Sequence, residues 1–166
     1  AAKIKWNQLL IDKKWKFSSN IAYEYLHQNF ATEQRFQDVE FNRNWNIVNP
    51  LGNRQQINTQ FILDNKQNSK YIYGFNLINY TDNYNGIKHD FNSQTKIKNT
   101  KLSSFVSILN SESTLNKNNF FRTKGKIEHS FTNSWIGGFI NLETNKIESK
   151  TTQQFNHLSH QFKEYE

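Results

Sequence analysis

The chain has no cysteine and no methionine, a single proline and six glycines in 166 residues. Without cysteine there is no disulfide framework, no thiolate zinc site and no thiol nucleophile. No run of 18 apolar residues exists, which excludes a transmembrane helix, and no secretory leader is visible. Apolar residues make up only 35%, low for a soluble globular domain. The missing methionine leads to the expectation that the start is processed or that the chain is an excerpt.

What is abundant is unusual in combination. Asparagine and glutamine together exceed a fifth of the residues, and aromatics reach 15%, with fourteen Phe, seven Tyr and four Trp. Disordered chains are poor in aromatics and rich in Pro and Gly, the reverse of this composition. A prion-like tract would lack regular patterning. Here the pattern is regular, with a period of two, the signature of strands with unlike faces. Trp15, Phe17, Ile21, Tyr23 and Tyr25 alternate with Lys16, Ser18, Asn20, Ala22 and Glu24. The same phase returns in Ile57, Thr59, Phe61 and Leu63, in Tyr71, Tyr73, Phe75 and Leu77, and in Ile87, His89 and Phe91. It returns again where Phe121, Thr123, Gly125, Ile127, His129 and Phe131 alternate with Arg122, Lys124, Lys126 and Glu128.

Turn signals rich in Asn, Asp and Gly punctuate these runs. They predict ten strands, at 3–10, 14–30, 34–48, 55–64, 70–80, 87–98, 101–110, 119–131, 135–144 and 153–165. The connections are too short for crossover helices, so an all-β, antiparallel up-and-down meander is expected as one domain over 1–166. Periodicity alone does not separate a soluble barrel from a membrane one, but three features favour the membrane. The runs reach 10 to 15 residues, whereas a soluble strand has about five or six and a tilted membrane strand about 9–11. Tight turns at Lys98–Thr100 and Thr132–Ser134 contrast with longer loops expected at Asn110–Asn119 and Asn145–Thr152. The wet face carries too little apolar volume to fill a soluble core. Trp15, Phe17, Tyr23, Tyr25, Phe61, Tyr71, Tyr73, Phe75 and Trp135 are then the expected lipid-facing and girdle residues.

The segment Val39-Glu40-Phe41-Asn42-Arg43-Asn44-Trp45-Asn46-Ile47 resembles an aromatic-x-Arg-(Asp/Asn)-Trp-Asn-aliphatic strand of large outer-membrane β-barrel proteins of Bacteroidota. The Asn/Lys/Phe-rich style of the whole chain is similar to barrels from AT-rich flavobacteria. The resemblance implies a bacterial outer-membrane location, a periplasmic assembly route and association with lipoproteins or other envelope subunits. Members differ widely in activity, so no catalytic residue carries over. Such barrels usually end on an aromatic residue, whereas this chain ends Phe162-Lys163-Glu164-Tyr165-Glu166, which adds to the expectation of an excerpt of a longer barrel. Arg43 shares the phase of Phe41, Trp45 and Ile47 and would point at lipid. The reading adopted is that it snorkels at the rim beside Trp45.

Few constellations carry chemistry. His157 and His160 would share one face on a helix, but on a strand they oppose each other. His157 with Ser159 has no visible orienting third group or oxyanion donors. Asp82-Asn83-Tyr84-Asn85-Gly86 lacks the spacing of a calcium loop and reads as a turn. His27, His89 and His129 read as band-edge residues. Neither an enzyme nor a cofactor is expected. Asp38, Glu40, Asn42, Asn44, Lys88, Asp90, Arg122, Lys124, Lys126 and Glu128 are the expected polar lining of a lumen. Within it the cluster Arg122, Lys124 and Lys126, with Lys96 and Lys98, is the main functional hint: it would concentrate anions in a pore or, on an outer rim, meet lipopolysaccharide phosphates. Nucleic acid is disfavoured because the aromatics occupy the face opposite the basic residues. The expected function is a pore or structural subunit of an envelope transport or assembly complex, in contact with membrane lipid and lipopolysaccharide. The rival is a soluble lipocalin-like barrel holding a small apolar ligand, with the two faces exchanged.

Overall fold

The alternating runs become strands because a period of two keeps every apolar side chain on one side of a pleated backbone. The computed structural model describes residues 2–12, 14–29, 45, 47, 51–65 and 67–150, and the backbone of 158–165. Nine strands follow one another: β1 (Ala2–Ile11), β2 (Lys16–Leu26), β3 (Arg54–Asn65), β4 (Ser69–Tyr80), β5 (Tyr84–Ile97), β6 (Thr100–Ser113), β7 (Asn116–Ser130), β8 (Trp135–Ser149) and β9 (Leu158–Tyr165). They make one antiparallel sheet whose spatial order is the chain order. Among the described residues β1 and β9 are its two edges, so the sheet is not closed.

The ladder continues each face from strand to strand. One row on the apolar face runs Ser19, Phe61, Tyr73, Phe91, Val106, Thr123 and Leu142. The row beside it on the polar face runs Gln60, Gly74, Asp90, Ser107, Arg122 and Glu143.

Two expectations are corrected. β2 pairs directly with β3, Lys16 opposite Asp64 and Leu26 opposite Arg54, so the strand expected at 34–48 does not stand between them. Residues 34–44 lie outside the described residues, while Trp45 and Ile47 are buried on the sheet. The segment 110–119 is not a long loop. β6 and β7 stay paired through Ser111 opposite Asn118 and Glu112 opposite Lys117, turning at Thr114-Leu115. β8 likewise continues to Ser149. Both faces are polar in these extensions, so the alternation vanishes although the backbone ladder does not.

Turn chemistry sets the remaining geometry. Gly52 has φ +85°, and a Cβ there would lie 2.3 Å from Oγ1 of Thr81, so only glycine fits beside the β4–β5 turn. The Asn53 amide donates to Thr81 Oγ1 at 3.0 Å and the Leu51 amide to Asn83 Oδ1 at 2.9 Å, tying the end of the β2–β3 connection to that turn. The two-residue turn between β5 and β6 places Lys98 at φ 53°, a left-handed conformation uncommon for a side chain with a Cβ.

Candidate functional site on the polar face

Burial concentrates on the polar face, at the end where β4 turns into β5. Ile78 is fully buried (0% exposed), with Tyr84, Leu109, Trp45 and Ile47 around it and Tyr80 and Phe120 packed alongside. The Tyr84 hydroxyl donates to the carbonyl of Trp45 at 2.5 Å. A Cβ on Gly86 would lie 2.6 Å from the Tyr84 hydroxyl and 3.1 Å from the Trp45 ring, so this glycine makes room for both side chains. Trp45 and Ile47 share the phase assigned to lipid from the sequence, but their places are on the opposite face. In sequence they belong to the connection between β2 and β3. Arg43, Asp38, Glu40, Asn42 and Asn44 fall outside the described residues.

The remaining expected lumen residues lie on one face and mostly pair there. Lys88 Nζ is 3.4 Å from Asp90 Oδ2, and Ser107 Oγ donates to Asp90 Oδ1 at 2.6 Å. Arg122 donates from Nε to Glu143 Oε2 at 2.6 Å, donates to the same oxygen from its terminal nitrogen, and lies over the Phe120 ring. Lys126 Nζ is 3.0 Å from Glu128 Oε1. Lys124 is exposed on the same face. The sequence reading missed Glu143, and it missed Glu24, which is held by Arg54 at 2.6 Å and Lys3 at 3.4 Å. These partners come from neighbouring strands, so only the register reveals them. At the other end of this face lies an open recess of about 480 Å³ whose lining includes Asp64, Lys70, Lys96, Lys101, Lys126 and Glu128.

The opposite face carries the expected aromatic residues. Phe17 stacks on Phe61 at 6.3 Å, Phe61 on Tyr73 at 6.3 Å, and Trp15 on Tyr71 at 6.4 Å. His89 joins this ladder, 5.2 Å from Phe75 and 6.1 Å from Tyr73 between ring centroids. Tyr23 and Tyr25 follow in the same phase, opposite Ile57 and Gln55. Trp135 differs: it opens β8 in phase with Gly137 and Phe139 of the polar face, and it is 70% exposed. Two polar pairs sit here, Tyr71 Oη with Thr95 Oγ1 at 3.2 Å and His129 Nδ1 with Thr100 Oγ1 at 2.8 Å.

Despite its apolar character this face is open. Ile21, Leu63, Tyr73, Phe91, Leu102, Ile108, Phe121, Ile127 and Ile140 are each 37–50% exposed. At the β6–β7 turn the same face becomes charged, with Glu112 opposite Lys117, Lys117 opposite Glu148 and Asn119 opposite Lys146. Lys146 pairs with Glu148 at 3.0 Å, and Lys150 pairs with Glu112. Comparison with protein-family models, with curated proteins and with solved structures finds no match.

Proposed function

We propose that this chain is an integral outer-membrane β-barrel, or a sector of a larger one, acting as a pore or as a structural subunit of an envelope transport or assembly complex. The observation that carries the reading is the position of the apolar side chains. They cover the exposed face as a band that ends in a charged row, while the Lys88–Asp90, Arg122–Glu143 and Lys126–Glu128 pairs and the buried Ser107, Ser111 and Asn118 sit on the other face. In water such a face would need a second layer over it. In a bilayer it is the lipid contact, and hydrated polar side chains line the interior.

The dimensions agree. The outward phase on the β7 side stays free of charged residues from Phe121 to Phe131; at roughly 3.3 Å per residue and a tilt of about 40° this span rises about 25 Å, the height of the apolar band in outer-membrane barrels. Such barrels keep their short turns on the periplasmic side. The two longer connections, 27–53 and 150–157, leave the end of the sheet that carries Lys117 and Lys146, so in this reading that end lies at the lipopolysaccharide leaflet and the opposite end in the periplasm. Among the described residues β1 and β9 form the edges of the sheet, which suits a sector that further strands complete.

Heat-modifiability on a gel, with and without boiling, tests the proposal once the need for detergent is established. A mobility shift with β-type circular dichroism supports a closed membrane barrel, and detergent dependence without a shift supports a sector. Phe61→Lys and Phe75→Asp should each block assembly in detergent or vesicles. A chain monomeric in plain buffer, in which those variants fold but lose binding of an apolar dye, would instead establish the lipocalin-like arrangement.

A further inference from the structure

We propose that the recess at the short-turn end of the polar face is a binding site for a phosphate-class oxyanion. This goes beyond the barrel reading and does not depend on it. Four lysines and two carboxylates are among its lining residues: Lys70, Lys96, Lys101 and Lys126 against Asp64 and Glu128. The register explains why they converge. Lys96 on β5 stands directly opposite Lys101 on β6, and Lys126 on β7 lies one polar-face row away, opposite Ser103. Lys70 on β4 belongs to that second row through Gln94, which is itself opposite Ser103.

Like charges directly opposite on one face of a ladder destabilise it. The carboxylates present do not remove that cost. Glu128 on β7 stands directly opposite Lys101, but its ion pair is with Lys126 at 3.0 Å. Asp64 is opposite Lys70 at the far side of the recess. Among the described residues neither Lys96 nor Lys101 makes an ion pair, so two cations face each other at an open hollow. A compact dianion seated between them would receive charge-assisted bonds from both, and Ser103 and Gln94 add neutral donors in the adjacent row. Lysines suit phosphate as mobile point charges, and the hollow of about 480 Å³ is much larger than one phosphate, leaving space for a group attached to it. Lys124, two residues from Lys126 in the same phase, lines the adjoining recess of about 370 Å³ and extends the positive track along the face.

The probe is inorganic phosphate, titrated calorimetrically into the folded chain at constant ionic strength set with sodium chloride, in detergent or in plain buffer. Expected is saturable binding that chloride does not reproduce, weakened about tenfold in Lys96→Gln/Lys101→Gln. Phosphate should raise the thermal midpoint of the parent chain but not of the variant. In phosphate-free buffer the variant should melt no lower than the parent, because its opposed charges are gone. Binding that does not saturate, or that is equal in parent and variant, overturns the proposal. If the double variant misfolds, Lys70→Gln on the facing strand decides: weakened binding supports the site and unchanged binding refutes it. Displacement of phosphate by short-chain phosphatidic acid would assign a lipid headgroup as the natural source. Its failure to compete would assign a free anion, and either result upholds the phosphate chemistry. Failure of the gel-shift experiment would leave this titration interpretable, so the two readings stand or fall separately.

Discussion

The Tyr73 hydroxyl lies 2.8 Å from Nδ1 of His89, across neighbouring strands and on the apolar face. The contact gives one ring nitrogen of this imidazole a partner where it packs against the Tyr73 and Phe75 rings. A net hydrogen bond of this kind contributes about 1 kcal/mol. Tyr73→Phe should therefore lose about that much stability in urea, and much less in a His89→Leu background. A double-mutant cycle with no coupling would show that water, not Tyr73, satisfies His89.

The cluster around Ile78 should be the most sensitive packing site among the described residues. Ile78→Ala empties volume at a fully buried position and should cost about 2–4 kcal/mol. Trp45→Ala should cost at least as much, because it removes both the indole and its packing against Leu109 and Ile78. Urea unfolding followed by circular dichroism measures both. A loss under about 1 kcal/mol at Ile78 would show that the cluster is loosely packed.

Two turn substitutions should have opposite signs. Gly52→Ala forces a Cβ into Thr81 at a left-handed φ and should destabilise by about 1–2 kcal/mol. Lys98→Gly removes a Cβ from a left-handed position and should stabilise by about 0.5 kcal/mol. Paired melts decide. If both lower the midpoint, the Lys98 side chain has a contact that outweighs its backbone cost.

The Arg122–Glu143 pair reports how wet the polar face is. Arg122 is 41% exposed at the side chain, so Glu143→Gln should cost less than about 1 kcal/mol at low salt and nearly nothing at 1 M salt. In a dry interior the same change would strand a buried cation and cost about 3–5 kcal/mol regardless of salt. Salt-dependent melts of parent and variant separate a water-filled interior from a sealed one.

Much of the architecture was readable because strand alternation is a local property. Phe17, Phe61, Tyr73 and Phe75 were assigned to one face, and Lys88, Asp90, Arg122 and Lys126 to the other, from parity alone. Parity fails where both faces share one polarity, which is why the 110–119 hairpin looked like a loop. It fails again at Trp45 and Ile47, which alternate like strand residues in the sequence but are buried against Ile78, Tyr84 and Leu109 of the polar face. Trp135 slipped phase because a four-residue turn, 131–134, resets the parity between β7 and β8. Partners such as Glu143 for Arg122 depend on register, which hairpin geometry fixes only once each turn is known.

The neighbour-only pairing also dictates how the chain can assemble in time. From β3 to β8 every turn is two to four residues long, so these strands can zip up from local hairpins. Joining β2 to β3 requires closing the connection 27–53 instead, an entropic cost about 2 kcal/mol above that of a three-residue turn. That junction is the kinetic seam of the sheet. Trp45 and Ile47 belong to the same connection, and their burial against Ile78 and Leu109 contributes the free energy that offsets its closure. The small apolar cluster on an otherwise polar face is the fastening that lets the β1–β2 hairpin join a sheet already built.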